Sequence, residues 1–461
     1  MKTTRVRSMI VFLLTAAFLF GLGLFLFRLV FHGEAWATSS VNQHLSGSGS
    51  LSTAGEILDR NGVVLAETVD GNRVYNSDAD TRKAMLHTVG DNERFISTAV
   101  QNANRSDLAG YNFFTGITLP QITGKGSDIH LTLDSKVCRT AYQAMNGRKG
   151  AVVVYNYKTG EVVCMVSTPT FDPNNPPDMD QDTSGQYEGA YLNNVLSSTY
   201  TPGSTFKVIT SAAAIDYMSD INSRTFTCNG SIEVNGQKIT CMAHHGQINF
   251  EDAMAKSCNV AFAEIAMELG KDKMTTEAEK LGFNRSFSIE GISTAKSVYN
   301  VSEADDAGLG WSGIGQYTNL SNPMHMAILM GAIANSGQPV MPYYISEVTS
   351  PLGIATRTGK GKSGDRLMTE GTANALGDIM RYTVQTNYGD DRFPGLTVCA
   401  KTGTGEVGEG KQPNGWMVGY TTDEDCPLAF AVVVENGGYG ISSAAPVVEA
   451  VLQEAAKSVR S

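Results

Sequence analysis

The stretch from Thr201 to Ile215 limits the fold more than any other, because it predicts a helix that is apolar on nearly every side. A proline followed by a glycine, as in Pro202-Gly203, is typical of a helix start. The residues that follow are almost all apolar, namely Val208, Ile209, Ala212, Ala213, Ala214 and Ile215. Such a helix has no face suited to water, so we expect it to lie at the centre of a domain.

A serine and a lysine share one face of this helix. Positions i, i+3 and i+7 fall on the same side, which brings Ser204, Lys207 and Ser211 into line. A lysine that faces inward from a buried helix is costly unless it loses its proton or is paired. We therefore predict that Ser204 is a nucleophile and that Lys207 activates it.

The amino-terminal residues predict a membrane anchor. Lys2, Arg5 and Arg7 precede an uncharged run, Met9 to Phe27, that approaches the roughly 20 residues needed to span a bilayer. Ala35-Trp36-Ala37 has the form of a signal-peptidase site, but the run is longer than the ~7–15 residues of a cleaved signal. We expect an uncleaved, single-pass anchor in the cell membrane, with the catalytic part of the chain outside the cytoplasm.

Changes in composition divide the chain into five parts. The bounds that we predict are 1–8 for a cytoplasmic tail, 9–31 for the transmembrane anchor, 32–53 for a flexible linker, 54–127 for an N-terminal unit and 128–461 for a large domain. The N-terminal unit begins with two short apolar stretches about an Asn61-Gly62 turn. It has no nucleophile and base close together in sequence, so we expect a spacer or docking module.

The segments after Asp128 predict one antiparallel sheet covered by helices, an α+β fold. Strands are predicted at Ile129–Leu133, Ala151–Tyr155, Val162–Val166, Leu396–Thr402, Trp416–Tyr420 and Leu428–Glu435, and helices at Ser135–Met145 and Val447–Val459. A hairpin thus comes before a helix-rich insertion that holds Ser204 and Ser257, and three strands come after it. We expect five of these strands to form the sheet.

Charge and cysteine content exclude two kinds of partner. Lysine and arginine number 35 against 46 acidic residues, a net charge of −11, and no basic stripe is present, so we expect no nucleic-acid partner. Cys228 and Cys241 flank a hairpin-like segment turning at Asn235-Gly236, and they form either a disulfide or two small buried thiols. The spacing of cysteines and histidines, including the adjacent His244-His245, predicts no zinc site, so we expect no metal or cofactor.

Three short motifs occur in one order along the chain. They are Ser204-Thr-Phe-Lys207, Ser257-Cys-Asn259 and Lys401-Thr-Gly403-Thr404, separated by 257 − 204 = 53 and 401 − 257 = 144 residues. Each has a second copy, at Ser293-Thr-Ala-Lys296, Ser40-Val-Asn42 and Lys158-Thr-Gly160. Context removes these copies, because Ser40 precedes the folded chain, Lys158 lies in a predicted hairpin turn, and no Ser-x-Asn follows Ser293. One ordered triple remains.

A glycine-rich run after the third motif matches nucleotide-binding patterns by letters only. Gly403 to Gly408 satisfies the dinucleotide fingerprint, and Gly405 to Lys411 nearly forms a phosphate loop. Gln412 stands where the magnesium-binding serine or threonine belongs, and no helix start follows. We therefore predict a flexible hairpin here, with Gly405 loosening the end of the preceding strand.

The ordered triple resembles that of penicillin-binding proteins and serine β-lactamases. Other stretches resemble class B penicillin-binding proteins, namely Gly150-Ala-Val-Val-Val154, Phe171-Asp-Pro-Asn174, Trp311-Ser-Gly-Ile-Gly-Gln316, Trp416-Met-Val-Gly419 and, in their N-terminal pedestal, Asp59-Arg-Asn-Gly62. The resemblance implies the penicillin-binding transpeptidase fold for residues 128–461 and a pedestal for residues 54–127.

The resemblance also implies a role for each motif. Ser204 forms the acyl-enzyme, Lys207 is its base, Ser257 relays a proton, and Asn259 positions Lys207 and the substrate. The hydroxyls of Thr402 and Thr404, together with Lys401, bind the terminal carboxylate, and Gly403 belongs to the same substrate-binding motif. Lys401 and the amino end of the helix favour the uncharged form of Lys207. The implied activity is a peptidoglycan D,D-transpeptidase that crosslinks stem peptides with loss of D-alanine and is acylated by β-lactam antibiotics. A polytopic membrane glycosyltransferase is the implied partner, and the process is cell elongation, division or sporulation.

Two alternatives remain open at this point. Water could replace the amine acceptor, which would make the protein a D,D-carboxypeptidase or a β-lactamase, although a small soluble hydrolase needs neither anchor nor pedestal. The protein could also be a β-lactam sensor or a silent scaffold. Against a sensor, the tail before Met9 is too short for a protease module.

Overall fold

Two main sheets, a long N-terminal helix and a shell of shorter helices are present in the computed structural model, which describes residues 2–37, 51–109, 125–408 and 410–460. The strands are β1 Ile57–Leu58, β2 Val64–Val69, β3 Asn72–Tyr75, β4 Asp128–Leu131, β5 Gly150–Asn156, β6 Val162–Thr168, β7 Thr225–Cys228, β8 Ser231–Val234, β9 Gln237–Thr240, β10 Gly246–Asn249, β11 Ser288–Ile289, β12 Ile292–Ser293, β13 Val340–Met341, β14 Ile345–Thr349, β15 Ala355–Thr358, β16 Lys362–Ser363, β17 Val398–Gly405, β18 Asn414–Thr421 and β19 Leu428–Val434.

Helices of very different length surround these strands. The α-helices are α1 Lys2–Ala37, α2 Ala79–Val89, α3 Val100–Ala103, α4 Arg105–Ala109, α5 Ser135–Met145, α6 Asn194–Ser197, α7 Lys207–Tyr217, α8 Phe250–Ala255, α9 Asn259–Lys280, α10 Asp306–Gly313, α11 Pro323–Ala334, α12 Glu370–Thr383, α13 Gly440–Ser443 and α14 Ala445–Arg460. Short 3₁₀ turns occupy Met179–Gln181, Gly203–Phe206, Ile221–Ser223 and Asp390–Arg392, and a π-helical turn occupies Val384–Tyr388.

The central sheet has five antiparallel strands in the order β17-β18-β19-β5-β6. All residues of β5, β6, β18 and β19 are buried, so helices cover both faces of the sheet. Burial on both faces explains why these strands are continuous apolar runs rather than alternating ones. The predicted five-stranded antiparallel sheet with its helical insertion is therefore confirmed.

The apolar helix that begins near Ser204 lies in the interior, as predicted. It opens as a 3₁₀ turn at Gly203–Phe206 and continues as α7, packed against α9 and α12. Every residue from Lys207 to Ala214 is buried. The predicted helix Ser135–Met145 is also observed with these bounds, and Asp134 caps it by accepting the Lys136 and Val137 amides.

A second sheet crosses the boundary predicted between residues 127 and 128. Its strand order is β15-β14-β4-β1-β2-β3. Strand β4, which the sequence places in the large domain, pairs in parallel with β1 and antiparallel with β14. The two-residue strand β1 needs backbone partners on both sides, and β4 supplies one of them. The N-terminal unit and the large domain therefore share a hydrogen-bonded sheet.

Two buried or half-buried carboxylates also join the N-terminal unit to the large domain. Asp59 is 2% exposed, and its carboxylate accepts the Asn61 and Val63 amides at 2.8 and 2.9 Å. The other oxygen accepts the Ser135 amide at 3.1 Å and its hydroxyl at 2.6 Å. Arg82 of α2 binds Asp172 with two parallel bonds of 2.7 and 2.6 Å.

One helix in the described part of the chain is long and apolar enough to cross a membrane, with its span at Thr4–Arg28. The helix continues to Ala37, past residue 32 where the linker was predicted to begin. His32 to Ala37 contain no proline, so nothing in the sequence forces the helix to end there. The Ser46–Ser50 part of the predicted tether lies outside the described residues.

Substituting Asp59 tests the junction between the two parts. The Asp59→Ala variant leaves the buried Ser135 hydroxyl and amide, and the Asn61 and Val63 amides, without their acceptor, and we expect it to lower the free energy of unfolding by about 2–4 kcal/mol. Denaturant titration of the full chain in detergent measures this. Asp365→Ala is the control, because that side chain is 90% exposed in a 3.6 Å ion pair with Arg285 and its loss is worth about 0.5 kcal/mol or less. Equal effects of the two variants would contradict the junction.

Candidate active site

The 3₁₀ turn that contains Ser204 packs closely against β17, the edge strand of the central sheet. Gly203 has φ +53°, and a Cβ added there would lie 2.1 Å from the Thr404 carbonyl oxygen. A Cβ on Gly405 would lie 2.0 Å from the Thr201 carbonyl oxygen. Gly405 therefore permits a close backbone approach within β17, which corrects the prediction that it loosens the strand end.

Lys207 makes three hydrogen bonds, all to the second motif. Its amine donates to the Ser257 carbonyl at 2.6 Å, to Ser257 Oγ at 3.1 Å and to Asn259 Oδ1 at 2.8 Å. Its side chain is fully buried, and burial lowers the pKa of Lys207 to about 7. A substantial share of this amine is therefore uncharged near neutral pH, as a general base requires.

Lys401 reaches the same hydroxyl from the opposite side. Its amine donates to Ser257 Oγ at 2.9 Å and to the Thr402 carbonyl at 3.0 Å. Lys401 is fully buried, and burial, with a smaller contribution from Lys207, lowers the pKa of Lys401 well below its usual value. The structure thus brings the three predicted motifs together at a single hydroxyl group.

The second motif has a strained backbone. Ser257 lies between α8 and α9 with φ +53°, a conformation that costs a non-glycine residue roughly 1–2 kcal/mol. Two amides hold the turn, because those of Ser257 and Cys258 donate to Met254 and Ala253 at 3.1 and 2.8 Å. This turn aims Ser257 Oγ between the two lysine amines.

Both ends of the Asn259 side-chain amide, the oxygen and the nitrogen, have hydrogen-bond partners. Oδ1 accepts from Lys207, and Nδ2 donates to the Thr240 carbonyl at 2.8 Å. The Asn259 backbone amide donates to Cys241 Sγ at 3.3 Å. The residue therefore holds the lysine amine in place and also links the second motif to the segment that follows β9.

The third motif lines one wall of a cleft of about 360 Å³. Thr402 and Thr404 are half-buried and lie on the same face of β17, while Gly403 is buried between them. Ser204, Ser257 and Asn259 line the same cleft. Within the described residues, the Ser204 hydroxyl has no hydrogen-bond partner, a common state for a catalytic serine without substrate.

Sequence reasoning missed Tyr388, which belongs to no motif. Its hydroxyl accepts the Thr402 amide at 2.9 Å and shares a hydrogen bond with Thr402 Oγ1, also at 2.9 Å. The ring is buried at the end of the π-helical turn. A tyrosine at this place fixes both the backbone and the side chain of Thr402.

The second copies of the motifs lie away from this cleft. Lys158 is in the β5–β6 turn, where its amine donates to Asn335 Oδ1 at 2.9 Å. Ser293 and Lys296 are exposed, and Ser293 belongs to the two-residue strand β12 rather than to a helix. Ser40-Val-Asn42 lies outside the described residues.

Four residues that the sequence did not group lie together beside the second motif. Ligand atoms of Cys228, Cys241, His245 and Cys258 are all within 4.8 Å of one another. Sequence spacing predicted no zinc site and did not bring these four residues together, although Cys241 and His245 have i, i+4 spacing. Cys228 and Cys241 are free thiols rather than a disulfide.

Comparison with protein-family models shows the family to which the chain belongs. The model described as the penicillin binding protein transpeptidase domain matches residues 150–453. The chain belongs to this family. The predicted resemblance is thereby confirmed, and the matched residues include all three motifs of the cleft.

Individual relatives agree with this assignment. Peptidoglycan D,D-transpeptidase PbpA of Mycolicibacterium smegmatis is 29% identical over 389 residues, which cover 77% of this chain and 78% of the relative. Penicillin-binding protein 3 of Bacillus subtilis is 28% identical over 381 residues, or 77% of this chain and 56% of the relative.

Solved structures extend the similarity to the three-dimensional fold. Penicillin-binding protein A from M. tuberculosis, as its penicillin G acyl-enzyme complex, has a TM-score of 0.75 at 27% identity and covers 88% of this chain and 99% of that one. The D,D-transpeptidase domain of a peptidoglycan glycosyltransferase from Eggerthella lenta has a TM-score of 0.75 at 26% identity with the same coverage. The predicted transpeptidase fold is confirmed.

Removing the Tyr388 hydroxyl tests its hold on the third motif. In Tyr388→Phe the Thr402 amide loses its acceptor, and we expect acylation by labelled penicillin to slow by about tenfold, equivalent to roughly 1.4 kcal/mol. Stopped-flow fluorescence measures this rate. Tyr382→Phe is the matched control, because its hydroxyl lies in the preceding helix and donates to Asp252 at 2.9 Å. Equal rates for the two variants would contradict a positioning role.

Proposed function

We propose that this protein is a peptidoglycan D,D-transpeptidase that crosslinks stem peptides through an acyl-serine at Ser204 and is acylated by β-lactams at the same residue. The observation that carries the proposal is the convergence of two buried lysine amines on Ser257 Oγ, at 3.1 and 2.9 Å, beside the cleft that Ser204 lines. Relatives named as D,D-transpeptidases, and a similar structure described as a penicillin acyl-enzyme complex, support it.

Acylation begins with proton transfer from Ser204. Uncharged Lys207 takes the hydroxyl proton as the Ser204 oxygen attacks the carbonyl carbon of the penultimate D-alanine. The backbone amides of Ser204 and Thr404 stabilise the oxyanion, and losing one such donor typically costs about 10²–10³ in rate. When the C–N bond breaks, Ser257 passes the proton to the departing D-alanine nitrogen, and the acyl group remains on Ser204.

The third motif recognises the substrate's terminal carboxylate. Thr402 and Thr404 present hydroxyls to the cleft from one face of β17, and Gly403 leaves room for the peptide between them. Lys401 contributes positive charge from behind the strand when it is protonated. An amine of a neighbouring stem peptide then attacks the acyl-serine, which forms the crosslink and regenerates Ser204.

The N-terminal helix fits a single-pass membrane anchor. Lys2 precedes the Thr4–Arg28 span, and Arg5 and Arg7 lie in its first turns, ahead of the uncharged run that begins at Met9. This placement favours a cytoplasmic tail at residues 1–8 and an extracytoplasmic catalytic domain at 128–461. The unit at 54–127 would act as the pedestal that docks a polytopic membrane glycosyltransferase. Such a partner makes the glycan strands that carry the stem peptides.

Labelled penicillin tests the nucleophile. We expect the purified full chain to be acylated once, with the adduct on Ser204. Ser204→Ala should abolish labelling, because the Ser257 hydroxyl, which lies beside both lysine amines, serves in this mechanism as the proton relay and not as the nucleophile. Intact-mass measurement and peptide mapping locate the adduct.

The second Ser-x-x-Lys sequence supplies the control. Ser293→Ala should be labelled at the wild-type rate, since Ser293 is exposed and away from the cleft. Labelling that persists in Ser204→Ala or moves to Ser293 would contradict the assignment. An adduct that hydrolyses within seconds, rather than decaying slowly, would favour a β-lactamase over a transpeptidase.

The acylation rate should depend on the protonation of Lys207. Burial lowers the pKa of Lys207 to about 7, so raising the pH through this value removes the proton that blocks the base. We expect the rate to rise about tenfold per pH unit below the pKa and to level off above it. Stopped-flow acylation between about pH 5 and 9 measures this profile.

A charged substitute provides the matched comparison. Lys207→Arg keeps its proton at every pH in this range, because arginine has a pKa above about 12, and we expect it to acylate at least about 10³-fold more slowly throughout. A flat profile for the wild-type protein, or a fast Lys207→Arg variant, would remove Lys207 from the role of base.

A further inference from the structure

Four potential metal ligands converge between a pair of small β-ribbons and the start of α9. Cys228 ends β7, Cys241 follows β9, His245 precedes β10, and Cys258 is the residue before α9. Their ligand atoms all lie within 4.8 Å of one another. Cys241 Sγ is 3.9 Å from Cys258 Sγ and 3.5 Å from His245 Nδ1.

These separations match the edges of a zinc tetrahedron. Zn–S bonds of about 2.3 Å and Zn–N bonds of about 2.0–2.1 Å place two sulfurs about 3.8 Å apart, and a sulfur and a nitrogen about 3.6 Å apart. The observed 3.9 and 3.5 Å agree with both values. Three cysteines and one histidine form a ligand set typical of structural zinc sites.

Backbone amides already donate to two of the sulfurs. The Asn259 amide donates to Cys241 Sγ at 3.3 Å, and the Ala261 amide donates to Cys258 Sγ at 3.5 Å. Such bonds stabilise thiolate ligands and orient them toward a metal. Cys228 and Cys258 are fully buried, whereas Cys241 and His245 are half-buried, so two of the four side chains remain partly accessible to solvent.

The ribbons need a source of stability beyond their own small core. Residues 225–249 form two separate two-stranded sheets, β7 with β10 and β8 with β9. Their buried apolar side chains are few, namely Phe226, Ile239 and Ile248. Two-stranded ribbons are marginally stable in water, and a bound metal adds its binding free energy to folding.

We propose that Cys228, Cys241, His245 and Cys258 bind one structural zinc ion that holds the second motif in place. Cys258 is the middle residue of Ser257-Cys-Asn259, so a metal bond to its sulfur fixes the residue between the two catalytic side chains. The same ion fixes Cys241, which accepts the Asn259 amide and follows the Thr240 carbonyl that Asn259 Nδ2 binds. Zinc thus acts on the proton relay without touching substrate.

Metal analysis of the full chain in detergent tests the site directly. We expect about one zinc per protein by mass spectrometry of the metal, with an X-ray absorption spectrum that fits three sulfurs and one nitrogen. Zinc should be lost from His245→Ala and Cys228→Ser. It should remain in His244→Ala, a matched control because His244 is the adjacent exposed histidine outside the cluster.

Some results would overturn the zinc site. One is wild-type protein that contains no metal and whose thiols all react with a thiol reagent. Another is wild-type protein whose mass is lower by two hydrogens, as a disulfide requires. A third is wild-type zinc content in His245→Ala. If the ligand variants fail to fold, a chelator is used instead to remove zinc from the folded wild-type protein, and zinc is then added back. Failure to remove or to rebind one zinc ion per protein counts against the site.

The link to the second motif rests on the proposed function and is measured separately. Stripped wild-type protein and His245→Ala should be acylated by penicillin about 10–100-fold more slowly than the zinc form, with the rate restored to stripped protein by added zinc but not by magnesium. Equal rates with and without zinc would overturn the positioning role. Protein that binds zinc but never reacts with penicillin would instead contradict the proposed transpeptidase.

Discussion

The burial of the Lys207 amine is the constraint on which the site depends. A primary amine removed from water is tolerated when it is uncharged or when its protons are bound, and here three acceptors lie within 2.6 to 3.1 Å. All three belong to Ser257 and Asn259, which follow the lysine by 50 and 52 residues. The contacts that satisfy this buried amine are therefore the same contacts that assemble the site.

Close backbone contacts add the third motif to this assembly. β17 is the edge strand of the central sheet, and the 3₁₀ turn of Ser204 covers part of that edge. A Cβ on Gly315 would lie 1.9 Å from the Gly203 carbonyl oxygen, so small residues allow both sides of the turn to approach. Thr402, Gly403 and Thr404 of this edge strand line the cleft, and a strand edge is a common place for an extended peptide to add.

The sequence predicted those features that local pattern determines. The runs around Val152, Val418 and Val432 indicate buried strands because both faces of the sheet are covered, and Asp134 marks the start of α5 because it caps that helix. Long-range proximity was not predictable in this way. The addition of β4 to the second sheet leaves no local pattern. Among Cys228, Cys241, His245 and Cys258, only the i, i+4 spacing of Cys241 and His245 is visible in the sequence. Tyr388 was missed because a π-helical turn has no distinctive spacing.

Hydrogen-bond stoichiometry explains why Ser257 lies between two lysines. A hydroxyl donates one hydrogen bond and accepts two. With both amines charged, Ser257 Oγ would accept from each at 3.1 and 2.9 Å and leave two like charges facing each other in a buried site. With Lys207 uncharged, Ser257 can accept from protonated Lys401 and donate to the Lys207 lone pair. That arrangement satisfies the hydrogen-bonding capacity of all three groups and forms a continuous path for one proton. These interactions offset the roughly 1–2 kcal/mol that the left-handed backbone conformation of Ser257 costs.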